Sequence, residues 1–400
     1  ETLSQVLPQC PGLRGVVVAG ETALEGVGSF EQMIQANLGR EPIPKRRSAE
    51  EVAVLMYTSG TTGRSKGAML SHRNIIFDAA AASQVLDLTL DDSMIGCLPL
   101  FHAYGFTVNL VLAVLNCLPV RLLPRFAGAS ALELMETERV TVLAAVPAMY
   151  QMMLRTRRTP DYDLSALRIA VSGGAPMPVE VMAAFEERFG VYTMEGYGPT
   201  EAAPIVSVNR LHGQRKVGSV GLPLPGVEVR VVDDDGTVLG TGEVGELAVR
   251  GPNVMLGYWK APEATAETVV DGWLLTGDMA SIDEDGYIYI VDRKKDMIIV
   301  GGMNVYPREV EDIIYSLPQI AECAVVGVPS KVKGEDVVAY VSLKEGEMLT
   351  PTEIIEFCRR QLAPFKVPRE VVIEAELPKS PIGKVLRREV RQMARLRYAR

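Results

Sequence analysis

Residues 57–67, YTSGTTGRSKG, hold the side chains best suited to binding an anion. Their glycines let backbone N–H groups turn toward an anion without interference from Cβ atoms, and their hydroxyls and Lys66 add donors and positive charge. The residues that would form the site are Thr58, Ser59, Gly60, Thr61, Thr62, Gly63 and Lys66. A Walker A loop is excluded, because it needs Ser or Thr after its lysine and Gly67 stands there. A polar surface loop is the alternative, and the position of Lys66 between a predicted strand and a predicted helix favours phosphate binding.

The elements that would hold this loop alternate between strands and helices. Residues 52–56 predict a strand before the loop, and residues 72–82 predict a helix after it. Residues 167–171 predict another strand, and the pattern continues to about residue 291, which is typical of α/β layers. After Gly218, strands bounded by Asp-Gly turns predict an antiparallel, barrel-like region.

The last quarter of the chain has a different pattern. A helix begins at Pro307, and Thr350, Pro351 and Glu353 form a predicted capping box for a second helix. Strands at 324–328, 337–343 and 371–374 and a basic C-terminal helix complete a small α+β unit. We therefore predict a large domain over 1–291, a hinge at 292–296 and a small α+β domain over 297–400.

Composition excludes several classes of protein. The chain has 41 basic and 50 acidic side chains and a net charge of −9, which disfavours general nucleic-acid binding. Its apolar stretches are shorter than the roughly 20 residues of a membrane-spanning helix. Five scattered cysteines without a CxxC pair predict neither a disulfide framework nor a zinc ribbon, so we expect a reduced, cytoplasmic protein. Residues 16–19 predict a buried strand that needs neighbours, and we therefore expect the first domain to be incomplete at its N-terminus.

The loop at 57–67 resembles the signature loop of the adenylate-forming superfamily, which includes acyl-CoA synthetases, luciferases and peptide-synthetase adenylation domains. Later motifs match in the same order across nearly all 400 residues. The segments DRKKDMII (292–299) and GGMNVYPREVE (301–311) are most similar to long- and medium-chain fatty acyl-CoA synthetases. The resemblance implies activation of a fatty acid or other carboxylic acid by ATP and Mg²⁺, followed by thioester transfer to coenzyme A.

The resemblance also implies roles for individual residues. His102 would lie beside the acyl carboxylate, Thr200 would contact the α-phosphate, Glu201 would bind Mg²⁺, and Lys384 would reach the carboxylate and α-phosphate. For His102, a buried histidine satisfied by the backbone is the alternative. The adenine and ribose contacts would be Gly174, Ala175, Pro176, Glu195, Gly196, Tyr197, Asp278 and Arg293. Lys295 would be the hinge residue, and Gly301 and Gly302 would line the path of coenzyme A.

Several questions stay open at the level of sequence. The chain is also similar to acyl-AMP ligases that load a carrier protein, although no extra segment lies between Asp278 and Arg293 as in those enzymes. A truncated chain that binds nucleotide or lipid without turnover is a further alternative. Phe106 stands where a gate tryptophan is expected, and peripheral membrane contact and homodimerisation are left open.

Overall fold

The structure is a computed structural model that describes residues 5–20, 26–41, 46–58, 65–158, 161–330, 332–379 and 385–398. It divides into two compact units, Glu1–Ser48 and Ala49–Arg400. Every described residue of the predicted site lies in the second unit. Strands are numbered along the chain, and short 3₁₀ turns occur at Leu7–Gln9, Thr200–Ala202 and Lys294–Asp296.

The first unit contains two parallel strands, Val16–Val18 (β1) and Val27–Ser29 (β2), and the helix Phe30–Asn37. A strand was predicted at 16–19, and a strand is present there. Its predicted burial is wrong, because Val17 is 45% exposed. In the described residues of this unit β1 pairs with β2 alone, so β1 has a neighbouring strand along one edge only.

The strands that flank the loop at 57–67, called the phosphate loop below, belong to a three-stranded antiparallel sheet. Val52–Thr58 (β3) and Lys66–Ser71 (β4) pair as a hairpin, and Gly257–Tyr258 (β14) pairs with the other edge of β4. β4 continues into the helix His72–Leu86, whose first turn is closed by a capping box at Ser71. The strand and helix predicted on either side of the loop are therefore confirmed.

A seven-stranded sheet lies at the centre of the second unit. Its strands are Met94–Gly96 (β5), Val120–Leu122 (β6), Val142–Ala145 (β7), Ile169–Ser172 (β8), Thr193–Tyr197 (β9), Ser207–Val208 (β10) and Leu222–Pro223 (β11). The order is β11-β10-β9-β8-β7-β5-β6, parallel from β9 to β6 and antiparallel at β10 and β11. Every residue of β7 and β8 is buried, as expected for parallel strands covered on both faces.

Helices alternate with the strands of this sheet. After His72–Leu86 they are Ala113–Leu115, Gly128–Thr137, Pro147–Arg155 and Val179–Phe189. The helix Pro262–Thr268 lies outside this alternation, between β14 and the strand Val269–Val270. Gly105–Leu112 is a π-helix that runs directly into Ala113–Leu115. Among the described residues, no helix is both long and apolar enough to cross a bilayer.

The region after Gly218 forms an antiparallel sheet, which confirms the predicted change in strand pairing. Its strands are Glu228–Val232 (β12), Gly245–Arg250 (β13), Val269–Val270 (β15), Trp273–Ile282 (β16) and Ile288–Arg293 (β17). The order is β12-β13-β16, and both β15 and β17 pair with β16. The register places Asp278 of β16 opposite Arg293 of β17.

The last part of the chain folds as a separate sheet with its own helices. The strands are Ile298–Val300 (β18), Met303–Val305 (β19), Ile320–Ser330 (β20), Gly334–Leu343 (β21) and Glu370–Ile373 (β22). The helices are Pro307–Tyr315, Pro351–Arg359 and Arg387–Tyr398. Alternate residues of β20 pack into two apolar clusters, one with the first two helices and one with the third. The predicted capping box at Thr350 is confirmed, and so is the α/β fold class with a smaller C-terminal α+β part.

Candidate active site

The turn after β8 is shaped by glycines that lie against an aromatic ring. Gly174 has a φ of +77°, which L-residues with a Cβ rarely adopt. A Cβ added at Gly173 would lie 3.2 Å from the ring of Tyr104, so the turn contacts that ring closely. Tyr104 is itself fixed, because its hydroxyl donates to the carbonyl of Val171 at 3.3 Å. Ala175 and Pro176 complete a turn of small side chains that a flat base could approach.

Glu195 joins this turn to β9. Its Oε1 accepts the N–H of Met177 at 3.0 Å, and its side chain is 2% exposed. Among the described residues, Oε2 has no hydrogen-bond partner. Burial is the main cause that raises the pKa of Glu195 to about 7. Glu195 therefore holds the turn in place through one oxygen and exchanges a proton near neutral pH.

Tyr197, Asp278 and Arg293 form a connected group at the end of β9. The Tyr197 hydroxyl donates to Oδ2 of Asp278 at 2.6 Å, and Arg293 Nε lies 3.4 Å from Oδ1 of the same carboxylate. Burial, together with the Asp278 carboxylate, raises the pKa of Tyr197 well above its usual range, so this hydroxyl stays protonated. Between the strand and Thr200, Gly198 has no room for a side chain, because a Cβ there would lie 1.6 Å from the Pro204 carbonyl oxygen.

Glu201 lies in a second group, beside the two ends of the phosphate loop. Its Oε1 accepts the hydroxyls of Tyr258 at 2.8 Å and of Thr58 at 3.5 Å. Lys66 Nζ lies 5.0 Å from the centre of the Tyr258 ring, within the range of a cation–π contact. Sequence reasoning missed Tyr258, since its only signal is one aromatic residue after a glycine.

The donor set around Glu201 fits Mg²⁺ bound together with phosphates. No group of three His, Cys, Asp or Glu side chains suited to a metal occurs in the described part of the chain. Mg²⁺ is usually held by one or two carboxylates, with phosphate oxygens and water completing its shell. A single carboxylate next to the ends of a phosphate loop matches that requirement.

An apolar cavity opens beside these groups. We call the part of its lining formed by His102, Gly173, Gly174, Tyr197 and Thr200 its mouth, because Gly174 is exposed and His102, Tyr197 and Thr200 are partly exposed. Its interior is lined by Ala82, Leu86, Leu88, Met94, Val108, Leu112, Val142, Ala144, Val171 and Val208. Two of these, Val108 and Leu112, belong to the π-helix, a rare element that is frequent at functional sites.

His102 is oriented by the backbone at the cavity mouth. Its Nδ1 accepts the N–H of Tyr104 at 3.2 Å. In the neutral imidazole the proton is then on Nε2, which makes that nitrogen the donor. A hydrogen bond from Nε2 is suited to a carboxylate oxygen.

The predicted hinge and its neighbouring hairpin lie beyond β17. Desolvation, with the nearby Arg293, lowers the pKa of Lys295 in the turn Lys294–Asp296. Gly301 and Gly302 form the exposed two-residue connection of the β18–β19 hairpin, with φ of 59° and 82°. A turn with positive φ at both central residues favours glycine at both.

The structure brings the predicted residues together in three neighbouring groups, around Glu201, around Asp278 and at the cavity mouth. The predicted contacts Ser59, Gly60, Thr61, Thr62, Gly63 and Lys384 lie outside the described residues. Their roles, like those of every other predicted site residue, stay predictions.

Polar groups beside an apolar cavity fit the adenylate-forming superfamily that the sequence resembles, and comparison with known proteins agrees. The family model "AMP-binding enzyme" matches residues 6–259, and the model "AMP-binding enzyme C-terminal domain" matches residues 309–384. The chain belongs to the AMP-binding enzyme family.

Similar curated proteins include two long-chain-fatty-acid–CoA ligases and a feruloyl-CoA synthase. The ligase of Bacillus subtilis is 41% identical over 351 residues, which cover 87% of this chain and 63% of the relative. The ligase of Salmonella typhimurium is 42% identical over 374 residues, 92% of this chain and 66% of the relative. The feruloyl-CoA synthase of Amycolatopsis is 42% identical over 86% of this chain and 70% of its own length. The chain thus spans just under two thirds of the length of the two fatty-acid ligases.

Solved structures show the same fold. ATP-bound MatB from Rhodopseudomonas palustris is 38% identical and has a TM-score of 0.82 over 87% of this chain and 69% of its own. An anthranilate CoA ligase in complex with anthranoyl-AMP is 30% identical, with a TM-score of 0.88 over 100% of this chain and 77% of its own.

Proposed function

We propose that this protein activates a carboxylic acid with ATP and then transfers the acyl group to coenzyme A. The observation that carries the proposal is the position of Glu201, Thr58 and Lys66 beside a cavity whose mouth holds His102 and Thr200. A carboxylate entering the cavity mouth would therefore lie next to bound phosphates. The relatives named as CoA ligases, and a similar fold bound to ATP, support the same reaction.

In the first step, a carboxylate oxygen of the acid attacks the α-phosphorus, and the bond to pyrophosphate breaks. Positioning and electrostatic stabilisation supply nearly all of the catalysis in such transfers. His102 would orient the carboxylate, Thr200 would donate to the α-phosphate, and Lys66 and Lys384 would offset negative charge. Mg²⁺ held by Glu201 would neutralise charge on the departing phosphates.

The nucleoside would be held by the turn at 173–176 and by the group around Asp278. Tyr197 would stack its ring on the base, while Asp278 and Arg293 would bond the ribose hydroxyls. In the second step, the thiolate of coenzyme A attacks the acyl carbon and AMP leaves. We propose that the region 297–400 rotates about Lys295 between these steps, which would exchange Lys384 for the hairpin turn at Gly301 and Gly302.

The substrate class we propose is a fatty acid. The cavity interior is lined by aliphatic side chains, and among the described residues no Lys or Arg lines it to pair with a second carboxylate. Lining residues extend from Gly173 and Gly174, beyond the carboxyl end of β8, to Met94 and Val142 at the amino ends of β5 and β7. Val142 is level with Ile169, four residue steps before Gly173, which is about 13 Å at roughly 3.3 Å per residue. The lining therefore extends further than acetate would need, and the cavity's open volume of about 70 Å³ admits a short alkyl segment.

The test is acid-dependent ATP–pyrophosphate exchange by this chain, with acids from acetate to palmitate. Exchange that rises with alkyl length, followed by consumption of coenzyme A in the presence of that acid, is the expected result. The matched control is Glu201→Gln, which should lose exchange while the protein stays folded. Exchange without consumption of coenzyme A would favour transfer to a carrier protein. No exchange with any acid, although ATP binds, would contradict catalysis by this chain.

A further inference from the structure

Main-chain hydrogen bonds at Tyr258 and at the next residue fix the backbone from which the Tyr258 side chain extends to Glu201. Tyr258 lies in β14, opposite Ala68 of β4, and its N–H donates to Thr265 Oγ1 at 2.9 Å. The next residue, Trp259, donates its N–H to the carbonyl of Gly67 at 2.8 Å. With 8% exposure, the ring is held between the strand that follows the phosphate loop and the turn that carries Glu201.

The segment 255–258 contacts Glu201 through both its main chain and its carboxylate. Met255 donates its N–H to the Glu201 carbonyl at 2.9 Å, and the Tyr258 hydroxyl donates to Oε1 at 2.8 Å. The Thr58 hydroxyl, at 3.5 Å, is at the limit of a hydrogen bond. Tyr258 therefore makes the shorter bond to Oε1, and within the described chain Oε2 accepts no hydrogen bond from protein.

The Tyr258 side chain also contacts the ammonium group of Lys66. Lys66 Nζ lies over the Tyr258 ring at 5.0 Å, while the hydroxyl at the far end of the ring holds Glu201. Although both residues lie near the ends of one loop, no ion pair joins Lys66 and Glu201 within the part of the chain that the structure describes. A direct pair would neutralise both groups, and each would then be less able to bind a phosphate or a metal ion.

We propose that Tyr258 is a positioning residue that keeps Lys66 and Glu201 apart, leaving Glu201 Oε2 open to Mg²⁺ and Lys66 open to phosphate. The proposal rests on the nucleotide site assigned above. Hydrogen bonds from neighbouring residues commonly orient metal ligands, and their loss typically weakens metal binding by 10- to 100-fold.

The experiment measures equilibrium binding of a fluorescent ATP analogue as Mg²⁺ is varied, and again in EDTA. Tyr258→Phe removes the hydroxyl and keeps the ring under Lys66. We expect it to need about tenfold more Mg²⁺ for half-maximal binding, with unchanged binding in EDTA. Tyr258→Leu, which also removes the ring, should weaken binding in EDTA as well, because Lys66 would then pair with Glu201.

Tyr287→Phe is the matched control. The Tyr287 hydroxyl donates to the carbonyl of Gln214, and Lys216 lies over its ring at 4.8 Å, so the same kinds of contact occur outside the site. This variant should keep the parent's Mg²⁺ dependence. Combining Tyr258→Phe with Glu201→Gln should add nothing to the effect of Glu201→Gln alone, since both changes act on one ligand.

Two results would overturn the proposal. One is a Tyr258→Phe variant with the parent's Mg²⁺ dependence. The other is a Tyr258→Phe variant that loses ATP binding equally with Mg²⁺ and in EDTA, because such a loss indicates a merely structural role. Mg²⁺-dependent ATP binding without acid-dependent exchange would defeat the proposed activity and leave this inference standing. A parent chain whose ATP binding ignores Mg²⁺ would overturn the inference directly.

Discussion

Replacing Arg387 with methionine removes the cation at the centre of three buried carboxylates. Arg387 Nη1 lies 2.9 Å from Asp292 Oδ1 and 3.1 Å from Asp296 Oδ2, and Nη2 lies 2.6 Å from Glu311 Oε2. The three acidic side chains are 3%, 9% and 11% exposed. Methionine keeps most of the length and the apolar stem, so the change tests charge rather than packing.

The size of the effect follows from what each carboxylate keeps. Asp296 retains Arg391 at 2.7 Å, so its charge stays paired. Asp292 and Glu311 retain main-chain N–H donors, from Arg308 at 2.6 Å and from Val325 at 2.8 Å, but lose their counter-charge. Leaving a buried charge without its partner costs about 3–5 kcal/mol, and we expect a loss of unfolding free energy in that range at pH 7.

The pH dependence separates this explanation from a packing defect. Burial already raises the pKa of Glu311 with Arg387 present, and removing the cation raises it further. A protonated carboxyl leaves no charge uncompensated, so its penalty is absent at acidic pH and grows as pH rises through the raised pKa. The difference between variant and parent should therefore shrink as pH falls from 8 to 5.

The assay is urea unfolding followed by circular dichroism, at several pH values. Arg397→Met is the control, because Arg397 lies on the same helix and pairs with the more exposed Glu370 at 2.7 Å. Its effect should stay within about 1 kcal/mol, as for surface ion pairs. If Arg387→Met were no more harmful than Arg397→Met, or if its cost were independent of pH, the electrostatic reasoning would be refuted.

Three further predictions concern the site itself. Lys384→Ala should abolish ATP–pyrophosphate exchange but keep thioester formation from supplied acyl-adenylate, because its charge is needed only at the carboxylate and α-phosphate; equal loss of both half-reactions would contradict rotation about Lys295. Ala82→Phe should fill the cavity and lower kcat/KM for palmitate at least about tenfold relative to hexanoate, and a parallel loss for both acids would count against Ala82 as a lining residue. Glu195→Gln keeps an acceptor for Met177 but cannot ionise. Burial raises the pKa of Glu195 from 4.5 to about 7, so the parent protein loses stability as pH rises through that window. The Tm of the variant should therefore rise relative to the Tm of the parent between pH 5 and 8. A constant difference in Tm would be evidence against the raised pKa.

Local signals in the sequence predicted local structure well. The Thr350 capping box, the strand before the phosphate loop, the helix after it and the helix at Pro307 depend on neighbouring residues, and all are present. The strand Lys66–Ser71, which lies between the loop and that helix, was not predicted. Asp278 and Arg293 were predicted to share one ribose, and they lie opposite each other in the β16–β17 register. The role of that pair in binding remains a prediction.

Contacts between distant segments had no comparable signal. Tyr258 and Glu201 are 57 positions apart, and Arg387 and Asp292 are 95 apart, so neither contact follows from any local pattern. The apolar stretch around 108–118 predicted no membrane span, but hydrophobicity alone did not reveal that part of it is a π-helix. The exposure of Val17 likewise depends on which strands pair with β1 and not on its own sequence.

Two neighbouring residues of β17 connect the nucleotide site to the C-terminal region. Arg293 points toward Asp278, whereas Asp292, one residue earlier, accepts hydrogen bonds from Arg387 and from the N–H of Arg308. Successive side chains of a strand face opposite sides, so one peptide unit links the contact with Asp278 to the contacts with Arg308 and Arg387. Since Arg308 and Arg387 follow Lys295 and Asp292 precedes it, rotation about Lys295 would have to break these bonds or carry Asp292 with it. Asp292 would therefore bear part of the energetic cost of that motion, together with Ile290, whose carbonyl accepts a hydrogen bond from Arg308 at 2.7 Å. A change in the bonding of Asp292 would reach the proposed ribose contact through Arg293.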